Sequence, residues 1–192
     1  MSLKVDIPWH RYATIAELAK RVQQLRRPGS LGKTALQKLA YLLVEWKNVP
    51  LGYNFELYNY GPFSSSLMGD LDFVDSLRGV SVKWDDEAGY SITPGEAAEA
   101  ITEMARAFID TYSSDIDEVI AAFGQYNATD LELRSTILFA FREMQADSTS
   151  VARSALVERV LGLKPKFTRR GIGRAVDELA GLGLVTLAEE GP

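Results

Sequence analysis

Residues 33–77 read KTALQKLAYLLVEWKNVPLGYNFELYNYGPFSSSLMGDLDFVDSL. Leu36, Leu39, Ala40, Leu43 and Val44 recur at helical spacing, which predicts a helix over 33–46. Residues 53–60 alternate and are rich in aromatics, as a strand would be. A Tyr60-Gly61-Pro62-Phe63-Ser64 corner follows, and Pro62 is read as opening a third helix with Phe63, Leu67, Leu71 and Val74 inward. Val80–Trp84 and Gly89–Ile92, joined by Asp85-Asp86-Glu87, predict a hairpin wing. A helix, a strand, a second helix and a wing in that order form the pattern of a winged helix-turn-helix lobe. It contains no recognisable catalytic apparatus.

Upstream, Ile15, Leu18, Ala19, Val22 and Leu25 predict a helix over 14–27. Thr14 and Glu17 are read as its capping box. Downstream, Thr93-Pro94-Gly95-Glu96 reads as a helix start, with Ala98, Ile101, Ala105, Phe108 and Ile109 buried. Ser114 is read as starting another helix, with Ile116, Val119, Ile120 and Phe123 inside. Thr129 with Glu132 is read as capping a long one. Residues 147–150 are the candidate linker. Beyond them a short helix over 154–161, the turn LKPKF, a helix over 168–182 and a strand stub at 184–187 repeat the helix-turn-helix pattern. The expected architecture is mainly α with small β wings. A winged helix-turn-helix-like lobe spans 1–93, a helical connector or dimerisation region 94–147, and a C-terminal helix-turn-helix 148–192.

Composition narrows the chemistry. The 192 residues contain no cysteine and a single histidine, His10, which excludes disulfides and thiolate catalysis and disfavours a metal site or a Ser-His pair. No cofactor is expected, and the chain is not expected to be an enzyme. No apolar run approaches the roughly 20 residues of a membrane span, so a cytoplasmic protein without membrane contact is expected. Net charge is −5, unevenly spread. Residues 1–53 carry 9 basic against 3 acidic side chains, residues 54–150 carry 5 against 18, and residues 151–192 carry 7 against 5. Basic faces are therefore expected at either end of an acidic protein.

Several motifs resolve to structure rather than chemistry. Gly29-Ser30-Leu31-Gly32-Lys33-Thr34 ends like a phosphate-binding loop, but only two residues separate its glycines where four are needed. The aromatic run Tyr53, Phe55, Tyr58, Tyr60 and Phe63 includes only Glu56 as a charge, which repels phosphate. Asp70, Asp72 and Asp75, and Asp115, Asp117 and Glu118, read as solvated acidic faces. The outward positions of the third helix, among them Asp72 and Asp75, make it a poor DNA reader.

The C-terminal helix differs. Lys164, Lys166, Thr168, Arg169, Arg170 and Arg174 stand before and within it. With Ile172, Ala175, Val176 and Leu179 buried, Arg170 and Arg174 project outward, and the first turn offers free N–H groups to a phosphate. These six residues are the candidate contact to double-stranded DNA. The competing reading is a solvated or partner-docking edge, with Arg174 paired to Asp177 or Glu178 one turn on. Lys20, Arg21, Arg26, Arg27, Lys33 and Lys38 form a second basic set, whose partners are either external or the acidic middle of this chain or of a second copy.

Leu36-Gln37-Lys38-Leu39-Ala40-Tyr41, then Tyr53-Asn54-Phe55, then Tyr58-Asn59-Tyr60-Gly61-Pro62-Phe63-Ser64 resembles the prokaryotic Panacea (SocA-like) domain. The resemblance covers the first half of the chain. It implies a binding protein of antitoxin, adaptor or regulator type without specifying the partner. Two functions follow as expectations. One is a DNA-binding transcriptional regulator using the C-terminal helix-turn-helix, acting as a homodimer because operators pair half-sites. The other is a protein-interaction module that binds a partner protein and no DNA.

Overall fold

The computed structural model describes residues 7–25, 31–147 and 150–188. Arg26 and Arg27, the Gly29-Ser30 of the loop-like motif and half of the 147–150 linker lie outside the described residues. In chain order the elements are α1 (Trp9–Leu25), α2 (Lys33–Glu45), β1 (Glu56–Tyr58), β2 (Gly61–Phe63), α3 (Ser65–Ser76), β3 (Val80–Asp85), β4 (Gly89–Pro94), α4 (Ala98–Glu103), α5 (Arg106–Phe123), α6 (Ala128–Asp147), α7 (Arg153–Leu163) and α8 (Arg169–Gly181). The described residues are thus mainly helical, with two antiparallel two-stranded sheets. None of their helices is long and apolar enough to cross a membrane.

The chain divides into two compact units. One is Met1–Asn54 with Ser64–Tyr126, the other Phe55–Phe63 with Asn127–Pro192. These boundaries differ from the three segments 1–93, 94–147 and 148–192 expected from sequence. The expected connector is split because α4 and α5 pack on α1, whereas α6 packs on α7 and α8. The β1–β2 hairpin leaves the lobe it was assigned to because β2 packs on α6.

In the first unit α1 lies against α3, α4, α5 and β4. It starts at Trp9, five residues before the expected capping box. Pro8 has no N–H to leave unsatisfied and its carbonyl accepts from Arg11 N at 2.9 Å, so the helix starts there. Thr14 is consequently inside the helix, its hydroxyl donating to the His10 carbonyl at 2.7 Å, and Glu17 is buried. Leu18, Leu36, Leu42, Leu43, Leu67, Leu71, Val74, Ile116, Val119 and Phe123 form the core.

Three further helix starts move. Pro62 pairs with Leu57 in the β1–β2 hairpin, and α3 begins only at Ser65. Gly61, at φ +86°, follows the two-residue Asn59-Tyr60 turn and supplies the left-handed residue that closes it. Thr93 and Pro94 continue β4 opposite Ser81 and Val80, and Gly95 N donates to Gly79 O at 3.0 Å. A Cβ on Gly95 would stand 2.0 Å from the Arg78 carbonyl, so strand pairing rather than a cap consumes this stretch. At Ser114 no helix starts, since α5 runs through it.

The second unit is built on α6, α7 and α8, each packed against the other two. Leu131, Ile137, Leu138, Phe141, Leu156, Val160, Ile172, Val176 and Leu179 fill the space between them. Asn127, not Thr129, caps α6: its Oδ1 accepts from Asp130 N at 2.9 Å. The stub at 184–187 is a single parallel bridge, Leu187 to Val151.

Candidate nucleic-acid interface

The turn between α7 and α8 and the outer face of α8 carry all six candidate residues, and they meet different fates. Thr168 is the N-cap, its Oγ1 accepting from Gly171 N at 3.1 Å. That bond satisfies one of the open amides the turn offered to a phosphate. Lys164 is only 6% exposed. Its ammonium donates to the Tyr58 carbonyl at 3.0 Å and to that of Asn59, and lies 3.3 Å from Glu132 Oε1. A cation so enclosed is withdrawn from any phosphate. Lys166 is half exposed, paired with Glu132 Oε2 at 2.7 Å and set over the Tyr60 ring.

Arg169 reaches back to α7, its Nη2 donating to Glu158 Oε2 at 3.0 Å. Arg170 and Arg174 are exposed, and among the described residues no ion pair holds either. The pairing of Arg174 with Asp177 or Glu178 expected from helical spacing does not form. Asp177 is taken by Arg153 of α7 through a fork of 2.6 and 2.8 Å, and this hydrogen bonding holds its carboxyl below the usual carboxylate range. Glu178 is taken by Arg134 of α6 through a fork of 3.0 and 2.6 Å. Two arginines that sequence reasoning left aside thus decide which cations of α8 stay free. Nothing local could have flagged them, because each lies on a different helix from its acid.

A shallow groove of about 450 Å³ runs between α7 and α8, lined by Arg153, Glu158, Arg169, Arg170, Arg174 and Asp177 among others. Four guanidinium groups therefore face two carboxylates, and each carboxylate is held by one of them. The surplus is Arg170 and Arg174. No protein-family model matches this chain, and no curated protein does. The interface is accordingly read from its own chemistry.

Among the described residues, the members of the second basic set do not form a free patch; Arg26 and Arg27 lie outside them. Lys38 is 1% exposed inside α2. Lys20 pairs with Glu17 and Glu99, Arg21 with Glu17 and Asp117, and Lys33 with Asp72 while resting over the Tyr90 ring. The acidic middle segment of the chain supplies Glu99 and Asp117, so opposite charges expected at the surface meet within the first unit.

Asp70 also departs from the solvated acidic face. It is buried, accepting from Arg11 Nε at 2.6 Å and from the Tyr53 hydroxyl at 2.8 Å. Burial, then the nearby Asp70 charge, raises the Tyr53 phenol above its ordinary range. Among the described residues no group of three or more His, Asp or Glu is arranged to hold a metal ion.

Proposed function

We propose that the chain binds double-stranded DNA through the outward face of α8 and acts as a transcriptional regulator. The observation that carries this reading is the unpaired, exposed state of Arg170 and Arg174 beside Asp177, Glu158 and Glu178, which are already held by Arg153, Arg169 and Arg134. The helix-turn-helix order of α7, turn and α8, backed by α6, supports insertion of α8 into a major groove. The winged-helix reading of the first unit makes it a scaffold, with α3 disqualified as a reader by exposed Asp72. A homodimer would set two copies of α8 on paired half-sites.

The contact set is smaller than the sequence suggests. With Lys164 buried and Lys166 held by Glu132, Arg170, Arg174 and a released Arg169 remain. Three phosphate contacts give a slope of about −3 in log affinity against log salt. Fluorescence anisotropy of a mixed-sequence duplex at two salt concentrations tests this. Arg170→Glu with Arg174→Glu weakens binding and makes the slope shallower by about 2. Absence of binding at low salt removes the reading.

A second reading has its own support. Tyr58 and Tyr60 on the β1–β2 hairpin are each 64% exposed, and Trp84 packs against Tyr90 on the β3–β4 hairpin with both rings open. Exposed aromatics of this kind serve protein interfaces. An antitoxin- or adaptor-like module, the role implied by the Panacea-like motif, would use them. Capture of a partner that Tyr60→Ala abolishes, without duplex binding, favours it.

A further inference from the structure

We propose that the α7–α8 groove is a seat for a phosphate-type oxyanion, its two arms Arg170 and Arg174 kept available because Arg153 and Arg134 draw the helix's own carboxylates away. The proposal deepens the DNA-binding reading and rests on it for the identity of the ligand, while the seat itself is separately testable.

The physical problem is local. On an isolated helix Asp177 lies one turn from Arg174 and Glu178 four residues from it, so both acids compete with any incoming anion. The two forks remove that competition from opposite neighbours, α7 and α6. Gly173 leaves room for the first fork. Arg153 Nη2 passes over it, donating to the Gly173 carbonyl at 3.1 Å, and a Cβ at this position would meet that nitrogen at 2.9 Å. The glycine weakens α8 as a helix relative to alanine, and the arginine crossing gives it a structural reason. Within the groove the remaining carboxylate, Glu158, is occupied by Arg169. A planar guanidinium pair one turn apart suits the tetrahedral oxygens of a phosphate or phosphodiester. Arg153 is then a positioning residue: it acts on the ligand through Asp177.

The test titrates inorganic tripolyphosphate into the full chain, reading the Gly171 and Gly173 amides by NMR, with duplex titrated in parallel. Wild type shows saturable shifts at both glycines. Arg170→Gln with Arg174→Gln weakens tripolyphosphate about tenfold. Arg153→Met releases Asp177 and weakens it about fivefold. Arg153→Met with Asp177→Asn restores affinity to within about twofold of wild type, since the competing acid is gone. Shifts absent from Gly171 and Gly173, or Arg153→Met without effect, overturn the proposal. A double variant as weak as Arg153→Met alone makes Arg153 a direct ligand and overturns the sequestration argument. Tripolyphosphate seated in the groove without duplex binding leaves the seat standing and removes the DNA reading. Duplex binding with no tripolyphosphate shifts at Gly171 and Gly173 does the reverse.

Discussion

Glu132 of α6 and Lys164 of the α7–α8 turn stand 3.3 Å apart, their side chains 2% and 7% exposed. The lysine also holds the carbonyls of Tyr58 and Asn59, so one ammonium fastens the hairpin, the turn and α6 together within the second unit. Removing Lys164 leaves buried Glu132 to Lys166 alone and takes a donor from two carbonyls. Lys164→Met is therefore expected to destabilise the protein by about 3 kcal/mol. Lys164→Met combined with Glu132→Met should recover much of that loss. Urea unfolding followed by circular dichroism, with amide exchange of α6 as the local readout, measures both. A Lys164→Met protein of unchanged midpoint that has lost duplex affinity would return Lys164 to the DNA interface.

Gln37 and Ser64 make a second internal clasp. The Gln37 amide donates to the Ser64 carbonyl at 2.8 Å and accepts from its N–H at 2.9 Å, all buried. Gln37→Ala leaves the Ser64 N–H without its acceptor and the Ser64 carbonyl with only the 3.4 Å bond from Met68 N, and a loss of about 2 kcal/mol is expected. A change below about 0.5 kcal/mol in the same unfolding assay would mean that water replaces the side chain.

Tyr53 gives the protein an alkaline limit. Its folded pKa is raised, first by burial and then by Asp70. The folded state thus holds the phenolic proton more tightly than the unfolded one, whose tyrosine titrates near about 10. Stability from this group is fully present below that value and is lost as pH rises above it. Thermal midpoints measured between pH 8 and 11.5 should fall most steeply above about 10. In Tyr53→Phe the fall should flatten, on top of a lower neutral-pH stability from the lost bond to Asp70. An identical slope in the variant would assign the alkaline loss to other groups.

Thr136 offers a gain. Its hydroxyl is buried in α6 and has no hydrogen-bond partner among the described residues. Thr136→Val removes a desolvated hydroxyl at nearly constant shape, and about 1 kcal/mol of stabilisation is expected. Calorimetry reads it directly. A lower midpoint would reveal a partner for the hydroxyl.

How far the site was legible follows from where each partner lies. The apolar stripe of α8 and the outward Arg170 and Arg174 depend on spacing within one helix, and they are as sequence periodicity expects. Lys164 looked equally exposed by the same reasoning. It is buried because residues 58 and 59 present their carbonyls to it, which no local pattern can encode. The competing reading pairs Arg174 along its own helix, where proximity is guaranteed by geometry. Arg153 and Arg134 win instead, with bidentate forks from neighbouring helices that a single-turn pair cannot match.

The mainly helical class, the β3–β4 hairpin and the buried stripes are legible in the chain, because they follow from periods of two and 3.6 residues in the pattern of apolar side chains; the β1–β2 hairpin is not, since its residues read as one strand and a helix start. Helix starts were less secure. Cap-like signatures at Thr14, Thr93 and Thr129 lost to Pro8, to strand pairing and to Asn127, each a competing local solution to the same unsatisfied backbone groups. The division into two units, the place of residues 55–63 in the second, and which charges remain free follow from tertiary packing alone. Those outcomes depend on pairs far apart in the chain, where attraction between ions is decided by burial and fork geometry rather than by composition.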